Sequence, residues 1–304
     1  DGGALVDEPR RATSGIELKG FGDKSYWEAT YAAECQVVVA DGAAAKGDDD
    51  DGCFDWLQGW RGLGWLLEPL LARDTSRSVL HLGCGNSTLA EEFYDQGYGR
   101  QVSSDIVPGV IEFMAARNRT LRPEMQWVVA DATDVCGSLE AESFDLVIEK
   151  SVLDALFCSD RHAADFAHFL HEASRLVKPR GIFLSVSMYG PKQILRWLRQ
   201  PAFGWQVRAV RLEAEEEDDG GGSKRQQNPQ HSRLRNSHFA YVCSPRPDRA
   251  EHGAAERRGA LWQALRRRVE AEPDAEVASE ASEDDAGSSS GTSSADDEGR
   301  AGAS

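Results

Sequence analysis

The most constraining feature of the sequence is a buried-strand pattern that stops at two glycines and continues as an amphipathic helix. The segment reads VLHLGCGNSTLAEEFYDQGYG, from Val79 to Gly99, and Gly83 and Gly85 directly follow the apolar run. Glycine permits a sharp turn and lets another group approach the backbone closely. In an open parallel sheet, ligands bind at the carboxyl ends of the strands. The segment therefore predicts a ligand-binding loop ahead of a helix that begins at Ser87.

The same alternation of strand and helix continues through the middle of the chain. Short apolar runs indicate strands, and the amphipathic stretches between them indicate helices. Repetition of this order predicts an α/β fold, a doubly wound and mostly parallel sheet with helices on both faces. The predicted strands are Val79–Leu82, Gln101–Asp105, Gln126–Ala130, Phe144–Glu149 and Ile182–Ser187, and the helices between them are Ser87–Tyr94, Pro108–Arg119 and Ala163–Val177.

Further elements are predicted on both sides of this core. Two late strands, joined by a long polar connection, predict an antiparallel hairpin at the sheet edge and a total of seven strands. The KPRG segment, Lys178–Gly181, is predicted to end a helix and turn the chain into the next strand. The late strands are Trp205–Leu212 and Phe239–Ser244, and the additional helices are Lys24–Glu34, Phe54–Asp74, Pro191–Arg199 and Asp248–Glu270.

The polar segments predict the domain limits. Residues 1–20 are predicted to be a flexible N-terminus, 21–246 one folded domain, and 247–304 a helix followed by a disordered acidic tail rich in Ser and Gly. Segments of this composition bury too little apolar surface to order themselves. The polar stretches at 41–52 and 213–236 are predicted to be loops inserted in the domain.

The charge of the chain limits its partners. The formal net charge is −17, and a polyanion such as DNA or RNA is repelled by it on average. A basic protein is the favoured partner instead. We predict no nucleic-acid or membrane partner, and a monomer.

The cysteine pattern indicates a reducing compartment and no metal. The six cysteines are scattered, without a CxxC pair or a Cys/His cluster of zinc spacing. No apolar run reaches the length of about 18 residues that a membrane span needs. No secretory signal is recognisable, so a cytoplasmic location is predicted. The chain begins at Asp1 and not at Met, which leaves room for an upstream segment.

Two acidic residues follow the second and third predicted strands. Asp105 ends the second strand, where a carboxylate can accept hydrogen bonds from ribose hydroxyls. Asp131 follows the third, where the acid or its neighbouring backbone can bind an adenine amino group. Each acid alone is also explained as a turn or helix-capping residue. Both acids together with the glycine loop favour a nucleoside ligand.

The glycine loop distinguishes between nucleoside ligands. A dinucleotide site has the pattern GxGxxG/A, whereas this loop reads GCGNST, with Thr88 at the third position. S-adenosyl-L-methionine has a ribose and an adenine but no pyrophosphate, so its loop needs no third glycine. The pattern therefore favours S-adenosyl-L-methionine, although GxG alone is also explained as a tight turn.

With these residues the chain resembles the class I S-adenosylmethionine-dependent methyltransferases. Within them it is most similar to the elongation factor 1-alpha lysine methyltransferases and their methyltransferase-like 13 relatives. The mitochondrial citrate synthase lysine methyltransferases are similar around FDW and FAYV. The family usually has EKG where this chain has EKS, with Ser151 in third place. The matching segments are YWEATY, FDW, VLHLGCGNSTLAEEFYDQGY, SSDIV, VVADATDV and FDLVIEKSVLDAL.

The resemblance implies a role for each matching residue. Three aromatic residues would close over the cofactor, Gly83 would face its methionine part, Gly85 would bind the cofactor in the same loop, and Lys150 would line the site after strand four. The aromatic residues are Trp27, Tyr31 and Trp56; the ribose region would be bound by Asp105 and Ile106, and the adenine by Asp131 with Ala132. Without the resemblance, the aromatic residues are explained as core residues and Lys150 as a surface lysine.

The resemblance also implies methyl transfer to a lysine of a basic protein such as elongation factor 1-alpha. This in-line displacement needs alignment and exclusion of water, and no covalent nucleophile. The lysine must first lose a proton, and Glu149 and Asp154 are the nearest candidates to hold or accept it. A small-molecule acceptor and a non-catalytic cofactor-binding interaction module are the alternatives.

Overall fold

One mixed sheet of seven strands organises the computed structural model, which describes residues 20–35, 52–213, 238–246 and 253–271. The order across the sheet is β3-β2-β1-β4-β5-β7-β6. Strands β1 to β5 pair in parallel, and β7 pairs antiparallel with both β5 and β6. The predicted doubly wound sheet with an antiparallel edge hairpin is confirmed. The strands are β1 Val79–Leu82, β2 Gln101–Asp105, β3 Gln126–Val129, β4 Phe144–Lys150, β5 Val177–Ser187, β6 Trp205–Leu212 and β7 His238–Pro245.

Eight α-helices are present in the described part of the chain. None of them is long and apolar enough to cross a membrane. The helices are α1 Lys24–Glu34, α2 Trp60–Leu70, α3 Leu89–Asp95, α4 Pro108–Asn118, α5 Val152–Leu156, α6 His162–Leu176, α7 Pro191–Leu198 and α8 Ala254–Ala271.

The sheet has an apolar core on each face because successive side chains of a strand point to opposite sides. In β4, Leu146 and Ile148 pack with α2 and α3, while Val147 between them packs with α6, α7 and α8. Helix α6 buries ten of its fifteen residues. Helices therefore cover both faces, which leaves the carboxyl ends of β1 to β4 as the edge that faces the remaining loops and α1.

Four predicted segments lie outside the described residues: the N-terminus at 1–19, most of the two polar insertions, and the acidic tail from 272 on. Several element boundaries differ from prediction, most of all the starts of two helices. Helix α2 begins at Trp60, since Leu57 has a positive φ of 65°. Helix α8 begins at Ala254.

The KPRG segment lies within β5 and not in a turn. Val177 pairs with Phe144, and the register shifts before Ile182 pairs with Leu146. A Cβ on Gly181 would lie 2.8 Å from the carbonyl oxygen of Phe144, so the neighbouring strand comes too close for a side chain there. Tertiary pairing thus overrides the local turn preference of Pro and Gly.

Asp145 joins the amino-terminal ends of three strands. One carboxylate oxygen accepts hydrogen bonds from the Ser78 amide at 2.9 Å and from Lys178 Nζ at 2.7 Å. The other accepts one from Arg77 Nη1 at 3.0 Å. Burial alone would raise the pKa of Asp145, but the hydrogen bonds from Lys178 and Ser78 and the charge of Lys178 lower it to about 2.

Replacing Asp145 with Asn should lower the free energy of unfolding by about 1–2 kcal/mol at pH 7, since water at the rim screens part of the interaction. The folded pKa of about 2 lies below the ordinary 3.8, so the carboxylate stabilises the fold above that value. The difference between the proteins should shrink as pH falls from 4 towards 2. Urea unfolding measures it, with the exposed Asp160→Asn as control. A constant difference over this range would contradict the assignment.

Candidate cofactor and acceptor site

A cavity lies where the carboxyl ends of β1 to β4 meet α1 and the segment before α2. Its lining includes all ten residues predicted to contact a cofactor, which the fold brings together from six separate segments. They are Trp27, Tyr31, Trp56, Gly83, Gly85, Asp105, Ile106, Asp131, Ala132 and Lys150. The lining does not include Glu149 or Asp154.

The two loop glycines are required by backbone conformation and by protein neighbours. Gly83 has φ +72° and Gly85 φ +53°, in the left-handed region that favours glycine. A Cβ on Gly83 would collide with the Val152 side chain, and one on Gly85 would lie 2.6 Å from the Tyr31 hydroxyl oxygen. Side chains from α5 and α1, and not only a ligand, therefore explain why these positions are glycine.

Asp105 holds the glycine loop in place. One carboxylate oxygen accepts a hydrogen bond from the Gly85 amide at 2.9 Å, and the other from the Val107 amide at 3.0 Å. The residue is 7% exposed, and burial raises the pKa of its carboxyl although these backbone hydrogen bonds oppose the shift. A carboxylate has about four acceptor positions, so Asp105 retains capacity towards the cavity.

Asp131 is an exposed turn residue that follows β3, next to the strand that ends at Asp105. Its Oδ1 accepts hydrogen bonds from the Thr133 amide at 2.8 Å and the Thr133 hydroxyl at 2.7 Å. Ala130, Ala132 and Ile106 line the cavity beside it. This part of the cavity therefore combines a small apolar wall with a fixed carboxylate.

A set of aromatic residues covers the cavity; we call it the aromatic cover, and it consists of Phe21, Trp27, Tyr31, Phe54 and Trp56. Trp27 lies at its centre, stacked on Tyr31 at 5.8 Å between ring centroids and edge-on to Trp56 at 5.9 Å. Its indole nitrogen donates to the Phe21 carbonyl oxygen at 2.8 Å. The cover places a large apolar surface over the cavity.

An ion pair fastens this cover to the sheet. Lys150 Nζ lies 2.8 Å from Asp55 Oδ1, with 7% of the lysine side chain exposed. Asp55 also accepts hydrogen bonds from the hydroxyls of Ser87 and Thr88. Burial would raise the pKa of Asp55, but the Lys150 charge and these hydrogen bonds outweigh it and lower the pKa. Sequence reasoning missed this role of Asp55, although the residue stands in the FDW motif.

Asn86 makes a second connection to the cover. Its side chain is 1% exposed, and its Nδ2 donates to Glu34 Oε2 at 3.0 Å and to the Gly52 carbonyl oxygen at 2.9 Å. The loop after β1 thus holds both the end of α1 and the start of the following segment. The sequence gave no sign of this role of Asn86 except its place directly after the two loop glycines.

Glu149 lies behind the cavity wall and caps α5. One carboxylate oxygen accepts hydrogen bonds from the amides of Val152 at 2.9 Å and Leu153 at 3.3 Å. The other accepts one from the Ser185 hydroxyl. Burial, helped by the nearby charge of Asp154, raises the pKa of Glu149 to about 8.

Asp154 lies in the same buried layer. Its carboxylate accepts hydrogen bonds from the Ser187 hydroxyl and from the Met188 amide at 3.0 Å. Burial raises the pKa of Asp154 to about 6. Neither predicted acid lines the cavity, because other residues of β4 and α5 lie between them and it. Glu149 and Asp154 therefore do not contact a ligand in the cavity directly.

The described residues contain no group of three or more His, Cys, Asp or Glu side chains that could hold a metal ion.

Comparison with known proteins identifies the family. A family model described as a methyltransferase domain matches residues 80–185. EEF1A lysine methyltransferase 4 of Bos taurus is 31% identical over 199 residues, which cover 62% of this chain and 70% of that protein. The Mus musculus protein of the same name is 31% identical over 169 residues, 52% of this chain and 64% of its own length.

Other relatives are larger proteins. The eEF1A lysine and N-terminal methyltransferase of Danio rerio is 30% identical over 164 residues, and the chain spans only 23% of its length. Among solved structures, a Haemonchus contortus phosphoethanolamine N-methyltransferase 2 with bound S-adenosylhomocysteine has the same fold, with a TM-score of 0.51 at 13% identity over 76% of this chain and 60% of that one.

S-adenosylmethionine is the cofactor of this family, and the residues present fit it. The buried Asp105 carboxylate retains acceptor capacity for sugar hydroxyls, and the small apolar residues Ala130, Ala132 and Ile106 line the cavity where a purine ring could lie. Val152 and Tyr31 lie where side chains on Gly83 and Gly85 would point, so these two positions have to be glycine. The chain belongs to the S-adenosylmethionine-dependent methyltransferase family that includes the EEF1A lysine methyltransferases.

Proposed function

We propose that this chain methylates a lysine side chain of a protein, with the translation factor eEF1A as the favoured substrate. The names of the relatives support this substrate class. The observation that carries the proposal is the aromatic lining of the cavity, in which Phe21, Phe54 and Trp56 share the wall with Lys150 and Ser151. Aromatic faces attract a cation such as a lysine ammonium, whereas a nucleic-acid base would need planar hydrogen-bonding groups.

The residues of the cavity divide the binding task. Asp105 and Ile106 hold the ribose region, Asp131 with Ala132 the adenine, and Gly83 with Gly85 the methionine part. When bound, S-adenosylmethionine supplies an activated methyl group on a sulfonium. The protein aligns the acceptor with this group and excludes water through Trp27, Tyr31 and Trp56, which is the main source of acceleration in such a displacement.

Asp154 and Glu149 serve the acceptor from behind the cavity wall. Near neutral pH they differ in charge, because the pKa of Asp154 is about 6 and that of Glu149 about 8. Asp154 is then ionised and able to accept a proton, while Glu149 is mostly neutral and holds α5 in place. Because only one of the two acids is ionised, the buried carboxyls of Glu149 and Asp154 do not repel each other.

The charge of the chain completes the proposal. A net charge of −17 favours a basic protein substrate and disfavours nucleic acid. We propose that the enzyme acts as a monomer in the cytoplasm, where translation factors are found.

Incubation with tritiated S-adenosylmethionine tests this function. Recombinant eEF1A should become labelled, and mass spectrometry should locate the methyl group on a lysine. A cell lysate assayed in parallel shows whether another protein or a small molecule is labelled, and the Asp105→Ala chain serves as the inactive control. Tight cofactor binding without any labelled product would identify a non-catalytic binding module and contradict the proposal.

Asp105→Ala should weaken the binding of S-adenosylhomocysteine by about 10–100-fold, because it removes hydrogen bonds to a charged acceptor worth about 1.5–3 kcal/mol. The loss also frees the Gly85 amide that Asp105 holds. Isothermal titration calorimetry measures the affinity, and the exposed Asp134→Ala should bind normally. Unchanged affinity of Asp105→Ala would remove Asp105 from the cofactor site.

Asp154→Asn should lower turnover about 100-fold while the affinity for S-adenosylhomocysteine stays within about twofold, since a positioned general base contributes roughly 10²–10⁴ in rate. Wild-type turnover should fall as pH drops through about 6, where the carboxylate of Asp154 becomes protonated. Glu149→Gln is the matched control, because Gln resembles the neutral form of Glu149 that prevails below its pKa of about 8. Loss of turnover in Glu149→Gln alone would reverse the two roles.

A further inference from the structure

Ser151 has a backbone conformation that disfavours a side chain. It lies between β4 and α5 with φ +67° and ψ 3°, in the left-handed region. A residue with a Cβ there costs on the order of 1 kcal/mol or more relative to glycine. Such strain persists only where the surroundings fix it, and it is concentrated at functional sites. The conformation therefore raises the question of what the serine side chain supplies.

The hydroxyl of Ser151 does not cap the helix that follows it. Serine ahead of a helix normally accepts a hydrogen bond from a first-turn amide, but this one makes no such bond. Glu149 takes the amides of Val152 and Leu153 instead. The Ser151 hydroxyl oxygen is buried and makes no hydrogen bond of normal geometry, an arrangement that disfavours the folded state. Buried hydroxyls in folded proteins nearly always make a regular hydrogen bond, so this exception suggests a contact with a ligand.

The position of Ser151 supplies that explanation. It lines the cavity between Lys150 and Val152, and Val152 packs against Gly83 of the glycine loop. Since the sheet order is β3-β2-β1-β4, a nucleoside with its purine at the end of β3 and its ribose at Asp105 directs its sulfur towards β1 and β4. Ser151 thus lies at the end of the cavity where an acceptor meets the methyl group.

Ser151 also lies between the cavity and Asp154. The two residues are three positions apart, Asp154 stands behind the wall, and the Ser151 hydroxyl is near enough to help lower the pKa of that carboxyl, although the pair makes no hydrogen bond of normal geometry. A small rotation of the hydroxyl would complete this bond. Its oxygen would then remain free to accept a hydrogen bond from the cavity.

We propose that the Ser151 hydroxyl binds the acceptor nitrogen and connects it to the Asp154 carboxylate. The inference rests on the proposed methyl transfer to an amine. An N–H of the acceptor ammonium donates to the Ser151 oxygen, while the Ser151 O–H donates to Asp154. One proton passes from nitrogen to Ser151 as the serine proton passes to Asp154, which leaves a neutral amine and a carboxylic acid. The nitrogen lone pair then forms the bond to the methyl carbon, and the electron pair of the broken carbon–sulfur bond stays on sulfur.

Two substitutions separate this role from a structural one. Ser151→Gly removes the strain, so its melting temperature should rise; Ser151→Ala keeps the strain and loses only the hydroxyl. Both should lower the rate of methyl transfer to eEF1A about 10–100-fold, with the affinity for S-adenosylhomocysteine within about twofold of wild type. Ser103→Ala is the matched control, because its hydroxyl is also buried and unpartnered but lies outside the cavity lining. Wild-type rates in both Ser151 variants would overturn the proposal.

A binding measurement tests the same contact without any protein acceptor. Sinefungin carries an amino group where S-adenosylmethionine carries its transferable methyl, so it places a nitrogen near the acceptor position. Calorimetry should show that the preference of the protein for sinefungin over S-adenosylhomocysteine falls about tenfold in both Ser151 variants and persists in Ser103→Ala. An unchanged preference would overturn the contact. A third outcome is that the wild-type chain labels no protein but the Ser151 variants still lose the preference for sinefungin. That result would contradict the proposed substrate class and support the contact.

Discussion

The buried ion pair between Asp55 and Lys150 is the interaction on which the site depends. It joins the segment ahead of α2 to the end of β4, while hydrogen bonds from Ser87 and Thr88 join the same carboxylate to the start of α3. Breaking one partner of a buried pair leaves an uncompensated charge, which costs far more than the pair contributes. The pair therefore fixes where the aromatic cover lies, and the cover decides whether the cavity excludes water.

Two carboxylates at the ends of β2 and β4, the strands on either side of β1, also hold the backbone in place. Asp105 holds the amides of Gly85 and Val107, and Glu149 holds those of Val152 and Leu153. Each acid fixes the turn that follows its strand, and each turn forms one wall of the cavity. Because these acids satisfy the backbone, the side chains that line the cavity are left available for a ligand.

The sequence was sufficient for the sheet and for the set of cavity residues, but not for their contacts. Strand ends in a parallel sheet converge on one edge, so Gly83, Asp105 and Asp131 could be brought together from their positions alone. The pairing of Asp55 with Lys150 could not, because it spans 95 residues and depends on how the segment before α2 folds back. The KPRG segment was mistaken for a turn because its strand pairing with β4 is a tertiary effect. Burial, which moves the pKa of Glu149 and Asp154 in the same direction but to different extents, likewise has no local signature.

The strained conformation of Ser151, at the end of β4, is also fixed by the elements on either side of it. The Ser151 amide donates to the Val186 carbonyl oxygen at 2.9 Å, and its own carbonyl accepts from the Ala155 amide at 3.0 Å. The sheet on one side and α5 on the other thus impose the left-handed conformation, and the burial of β4 and β5 offsets its cost. With α5 capped by Glu149, the serine hydroxyl is not needed as a helix cap. In the proposed reaction, the fold therefore holds a buried hydroxyl in a fixed position beside the acceptor nitrogen, as electrostatic preorganisation requires.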